Sequence, residues 1–113
     1  MKLNKETAFK VWEYEHGCDE YAEDFAGNYM CKSAFGKRNY YEKHNGTKIY
    51  CGWNLHHILP KACGGSNKFV NLTCTNIITN DLAEDKTTFN IDDCIYQVKK
   101  TFGHREHEIF KLN

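Results

Sequence analysis

At 113 residues, with 41% hydrophobic and 14% aromatic side chains, the chain has the length of one small domain able to bury a core without disulfides. No apolar run approaches the roughly 18–20 residues of a membrane span, and the N-terminal MKLNKETAFKVWEYEHG is charged and amphipathic rather than signal-like, so a cytoplasmic location is expected. Fifteen basic and fifteen acidic residues cancel, so no strong overall field draws the chain to a polyanion.

The pattern predicts a helix from an Asn4 cap to about His16, with Phe9, Val11, Trp12 and Tyr14 on its apolar side and Gly17 as its stop. Asp19 to Gly27 reads as an acidic loop or short helical turn. NYMCKSAF, residues 28–35, reads as a strand closed by a turn at residues 36–39. Tyr40 to Thr47 is polar and holds the turn dipeptide Asn45-Gly46. Ile49 to Ile58 is the next expected strand, followed by an irregular stretch, Leu59 to Phe69, with the only proline, Pro60, and the pair Gly64-Gly65. Val70 to Thr75 suits a short strand. Asn76 to Lys86 suits a helix with Ile77, Ile78 and Leu82 on one apolar side. Thr87–Ile91, Cys94–Lys100 and Glu106–Leu112 read as a small antiparallel meander with turns at Asp92-Asp93 and Phe102-Gly103. The expected class is α+β.

The charges are unevenly placed. Residues 1–30 carry three basic against seven acidic side chains, residues 31–70 seven against one, and residues 71–113 five against seven. A basic centre between acidic flanks can steer an anionic partner, although a solvated face would look the same. The six cysteines, Cys18, Cys31, Cys51, Cys63, Cys74 and Cys94, include no pair closer than eleven residues. A local zinc knuckle needs closer pairs, so reduced thiols are expected, with a site from distant cysteines such as Cys18 and Cys31 as the alternative.

The chemistry concentrates in residues 53–86, WNLHHILPKACGGSNKFVNLTCTNIITNDLAEDK. Two adjacent histidines end a strand, where one ring can meet a metal and the other substrate. A Pro and a Gly-Gly loop follow, Asn71-Leu72 opens a second strand, and Asn80 lies on the following helix.

This set resembles the HNH (ββα-metal) endonuclease family. His57 to Asn71 is fourteen residues and Asn71 to Asn80 is nine, the family's spacings. The His56-His57 doublet is similar to that of colicin-type DNases, and the late Asn is similar to the HNH domain of RNA-guided CRISPR nucleases. The frame Ile58-Leu59-Pro60, Gly64-Gly65, Asn71-Leu72 agrees, and upstream AGNYMCKSAFGKRN and GWNLHHILP look like short stand-alone bacterial and phage members. The likeness covers about residues 24–86.

The resemblance implies a ββα-metal core with an N-terminal helix and flanking antiparallel strands, and hydrolysis of DNA to 5′-phosphate and 3′-hydroxyl ends. It implies His56 and Asn80 as metal ligands, His57 as general base and Asn71 as the residue that holds the His57 strand and ring. An imidazole and an amide oxygen suit Mg²⁺ less than Mn²⁺, and admit Ni²⁺, Co²⁺ or Zn²⁺, because the usual first carboxylate is replaced by His56. Asp81 and Glu84 stand near enough to Asn80 in sequence to join or replace it as ligands. Lys61, Lys68, Lys86 and Arg38 are candidates for phosphate contacts. His104 and His107 read as exposed tail residues, and Trp12, Trp53 and the tyrosines as core rather than stacking platforms. A homodimer is an open expectation. Two rival readings remain: a non-cleaving HNH-like binding or inhibitor protein that engages a protein or nucleic-acid partner, in support of which stand the acidic N-terminal third and the zero net charge, and an RNA-directed nuclease.

Overall fold

The computed structural model describes residues 4–113. Helix α1 spans Lys5–His16: the Asn4 side chain accepts from the Thr7 N–H at 2.9 Å, and Gly17 ends it by donating to Glu13 O. Ala8, Val11 and Trp12 are buried, while Tyr14 is 48% exposed, so the apolar face is narrower than its sequence suggests. The next segment, expected as a loop or helical turn, contains strand β1 (Tyr21–Glu23), paired antiparallel with β2 (Tyr29–Cys31). Asp24 explains the pairing, because its Oδ1 accepts from the N–H groups of Ala26 and Asn28 at 2.9 Å and closes a tight turn. β2 is shorter than the 28–35 strand expected, since Lys32–Ala34 turns as 3₁₀ helix.

The polar stretch around Asn45-Gly46 is a hairpin. β3 (Tyr41–His44) pairs with β4 (Thr47–Tyr50), and both turn residues have positive φ, 53° and 81°. The strand expected from Ile49 to Ile58 breaks in two at Cys51-Gly52, and β5 covers Trp53–His57. Gly52 marks the break, because a Cβ there would overlap the Lys37 carbonyl oxygen. β5 pairs antiparallel with β6 (Leu72–Asn76), and α2 (Ile77–Ala83) follows at once. β7 (Thr88–Ile91), β8 (Cys94–Lys100) and β9 (His107–Lys111) form the expected meander. The fold is mixed α+β, with two α-helices and four small antiparallel sheets among the described residues.

Two apolar clusters hold these parts together. Trp12 and Trp53, both fully buried with rings 4.9 Å apart, join α1 to β5 with Met30, Leu55, Leu72 and Cys74 around them. Each indole N–H reaches a carbonyl, Trp12 to Asp19 O and Trp53 to Lys32 O, so neither ring strands a polar group. Full burial of such a side chain contributes about 1.5–3 kcal/mol. The second cluster, Ala83, Phe89, Ile91 and Tyr96, packs the meander against α2.

Helix α2 corrects the sequence reading. It ends at Ala83, three residues early, because Glu84 takes φ 53°. Ile77, Thr79 and Ala83 are its buried positions, whereas Ile78 and Leu82 stand 49% and 46% exposed. Its phase is set by polar anchors. Asn76 caps Ile78 N–H and donates to Tyr29 O at 2.9 Å, Asp24 Oδ2 accepts from Asn76 N–H, and Asn28 donates to Thr79 Oγ1 at 2.7 Å. No helix among the described residues is long and apolar enough to cross a membrane.

Candidate active site on the β5–β6–α2 unit

Alternation along β5 sorts its side chains. Trp53 and Leu55 enter the α1 core, and Asn54 and His56 face α2. Asn80 bridges them: its Nδ2 donates to Asn54 Oδ1 at 2.8 Å and its Oδ1 lies 2.6 Å from His56 Nδ1. The first bond fixes the amide orientation, so the Oδ1 is an acceptor and the neutral His56 ring carries its proton on Nδ1. His56 is 4% exposed, and its Nε2 has no partner. Burial pushes its pKa below the ordinary histidine value, with the Asn80 contact opposing, so the ring is held neutral, the form that binds metal ions.

His57 lies at the strand end, where its ring shares a concavity of about 170 Å³ with His56, Pro60, Asn80, Glu84 and Asp85. Its Nε2 stands 2.6 Å from Asn67 Oδ1. An acceptor there keeps the proton on Nε2 and leaves Nδ1 free to take another.

The loop between β5 and β6 closes on Asn71. The Asn71 backbone carbonyl accepts from Ile58 N–H at 2.8 Å, its Oδ1 accepts from Leu59 N–H at 2.9 Å, and its Nδ2 donates to Leu59 O and Ser66 O at 3.1 and 2.8 Å. Asn71 thus holds the chain just after His57, but the ring is held by Asn67; the expectation of a ring contact from Asn71 is corrected. The Gly-Gly pair permits this closure. Gly64 takes φ 94°, and a Cβ on Gly65 would overlap Leu59 O.

The other expected residues divide. Asp81 points to Arg38, their ion pair measuring 2.8 Å, and lies off the concavity. Glu84 lines it but pairs with Lys86 at 3.5 Å, both side chains exposed. Lys61 is exposed directly after Pro60, and Lys68 lines a neighbouring hollow of about 180 Å³ with Gly64, Gly65 and His107. His104 is exposed, as expected, with its ring 5.8 Å from that of Tyr14, whereas His107 is only partly exposed.

Neither a family model, nor a curated protein, nor a solved structure matches the chain.

Metal fit rests on the donors present. Among the described residues no three His, Cys, Asp or Glu side chains form a group able to hold an ion. His56 Nδ1 and Asn80 Oδ1 converge at 2.6 Å. Adjacent ligands on an octahedral ion at about 2.1 Å stand about 3 Å apart, so an opening of a few tenths of an ångström would fit one, with the ring proton moved from Nδ1 to Nε2 so that the imidazole stays neutral. The pair would give a divalent cation two ligands and leave its remaining positions open.

Two participants escape sequence reasoning. Asn54 had a signal, since it shares a strand face with His56 two residues on. Asn67 had none, because its place depends on how the Gly64-Gly65 loop closes.

The acidic N-terminal third is partly internal. Glu15 accepts from Thr73 Oγ1 and Cys74 N–H and pairs with Arg105 at 3.0 Å, while Asp24 serves the turns above.

Proposed function

We propose that this chain is a metal-dependent DNA endonuclease of the HNH (ββα-metal) kind, hydrolysing phosphodiesters to 5′-phosphate and 3′-hydroxyl ends. One observation carries the reading: a hairpin and the helix after it bring His56 Nδ1 and Asn80 Oδ1 to 2.6 Å, with His57 on the same concavity. His56 and Asn80 would hold the cation, which when bound stabilises negative charge developing on the scissile phosphate and leaving oxygen. The His57 ring, anchored to Asn67, accepts the proton of the attacking water on Nδ1. Asn71 keeps the chain after His57 in place without touching substrate. Lys61, exposed next to Pro60 of the concavity and in no ion pair among the described residues, is available for phosphate, whereas Arg38 and Lys86 are already paired. With one His57 per chain, a single copy nicks, and a double-strand break needs two events or two copies. All six cysteines are unpaired, which fits a reducing compartment such as the cytoplasm.

The test is nicking of supercoiled plasmid by wild type and His57→Ala, each with Mg²⁺, Mn²⁺, Ni²⁺ or EDTA. Loss of a general base costs about 10²–10⁴-fold. Wild type should nick with Mn²⁺ at least, EDTA should abolish cutting, and His57→Ala should lose it while melting like wild type. No cutting with any metal, or equal cutting by His57→Ala, would overturn the proposal.

A further inference from the structure

The β3–β4 ribbon contributes nothing to the site above, and its two faces differ sharply. The register pairs Tyr41 with Tyr50, Glu42 with Ile49, Lys43 with Lys48 and His44 with Thr47. Alternation therefore puts Tyr41, Lys43, Lys48 and Tyr50 on one face and Glu42, His44, Thr47 and Ile49 on the other.

The second face is occupied by the protein. Glu42 accepts from Tyr21 OH at 3.0 Å, from Tyr40 OH at 2.9 Å and from Cys31 Sγ at 3.0 Å. The His44 ring lies edge-on to Tyr21 and Tyr29, at 5.3 and 5.1 Å. The ribbon's only carboxylate is thus tied down on that side.

The first face is cationic and aromatic. Lys43 and Lys48 are exposed directly opposite each other, an arrangement that costs stability in the free protein. The Lys48 ammonium sits 4.7 Å from the centre of the Tyr41 ring, which meets Tyr50 edge-on at 5.1 Å and is 48% exposed. At the foot of the ribbon the nearby carboxylate, Asp81, is neutralised by Arg38, and that ion pair fastens the ribbon's base to α2, the helix that carries Asn80.

We propose that this face docks duplex DNA, Lys43 and Lys48 taking phosphates and Tyr41 lying against the backbone between them. Charge complementarity selects the occupant: two facing ammonium groups without a carboxylate between them are relieved by a polyanion. Shape agrees, because a two-stranded ribbon fits the DNA major groove, about 12 Å wide. The DNA target rests on the function proposed above, but docking needs neither metal nor cutting.

The experiment measures binding of the full chain to a short fluorescein-labelled duplex by anisotropy, in EDTA, across a salt series. Each lost phosphate contact lowers the salt slope by about 0.9, so Lys43→Gln/Lys48→Gln should lower it by about 1.8 and weaken binding on the order of 10- to 60-fold near 0.1 M salt. Lys99→Gln/Lys111→Gln, which removes the same charge from the meander, should leave both nearly unchanged. The ribbon variant should melt close to wild type, since the relieved repulsion offsets the lost contact of Lys48 with the Tyr41 ring. Equal effects of the two pairs, an unchanged slope, or no duplex binding by wild type would each overturn the inference. Preference for single-stranded RNA over the duplex would overturn the choice of occupant. Ribbon-dependent binding without any plasmid cutting would sustain the docking surface and sink the nuclease. Cutting that the ribbon variant leaves unaltered across the salt series would do the reverse.

Discussion

Replacing Asn76 with alanine should be the most damaging small change near the site. Its Oδ1 caps α2 through Ile78 N–H at 2.9 Å, and its Nδ2 donates to Tyr29 O at 2.9 Å and, more weakly, to Tyr50 O at 3.4 Å. Loss of a cap costs about 1 kcal/mol. The residue is 4% exposed, so the carbonyls it leaves cannot readily turn to water, and a stranded buried acceptor adds about 1–3 kcal/mol. Together that is about 3 kcal/mol. At about 2.1 cal/mol/K per residue, unfolding 113 residues gives an entropy near 240 cal/mol/K, so the melting temperature should fall by roughly 12 °C. Asn76→Ser separates the two contributions, because it keeps a capping oxygen and loses only the donor; it should cost about 2 kcal/mol. Circular-dichroism melts and urea titrations of the three proteins read this directly. A loss below about 1 kcal/mol for Asn76→Ala, or a serine variant no better than alanine, would refute the account of what fixes α2.

Asn67→Ala should cut the nicking rate about 10- to 100-fold with little change in KM and no change in melting, because it frees the His57 ring without touching substrate. Asn67→Asp, which keeps an acceptor, should recover most of the loss; equal failure of both would remove Asn67 from the mechanism. For the thiols, native-state alkylation followed by mass spectrometry should label exposed Cys18 and Cys63 first. Cys31, Cys51 and Cys74 should react only on unfolding, since burial raises all three, Cys51 to about 11, and fast labelling of any of them would contradict the buried positions.

Local signals made much of this fold legible. Asn4 with Gly17 bounds α1, Asn45-Gly46 marks the β3–β4 turn, and the three strands of the meander alternate clearly. The motif spacing also led to residues that the chain does bring together, His56, His57 and Asn80. Most of the misses share a cause, which is that a group distant in sequence decided the local structure; β1 is the exception, set by the side chain next to it. β1 exists because Asp24 captures two amides. The long strand breaks at Cys51-Gly52, where the Lys37 backbone presses on Gly52. Arg38 and Asp81, read separately as a phosphate contact and a ligand candidate, found each other across 43 positions.

Helix α2 shows why apolar periodicity failed at the position that matters most. It has seven residues, well short of the roughly 12–15 at which an isolated helix becomes marginally stable in water, so its existence depends on what anchors it. Ile78 and Leu82, its most hydrophobic pair at helical spacing, remain about half exposed and cannot supply that anchorage. Beside the buried Ile77 and Ala83, polar anchors hold it: Asp24 on the Asn76 N–H, Asn76 on Tyr29 O, Asn28 on Thr79. Hydrogen bonds fix a helix in rotation and along its axis more strictly than a greasy face does, because they tolerate errors of only a few tenths of an ångström. That strictness is what a site built from Asn80 and His56 at 2.6 Å requires. Asp24, 56 residues earlier in the chain, therefore helps to set the position of Asn80 through its bond to Asn76, so one carboxylate of the acidic N-terminal segment is a buried peg for the site while Glu6, Glu13, Asp19, Glu20 and Glu23 stand exposed.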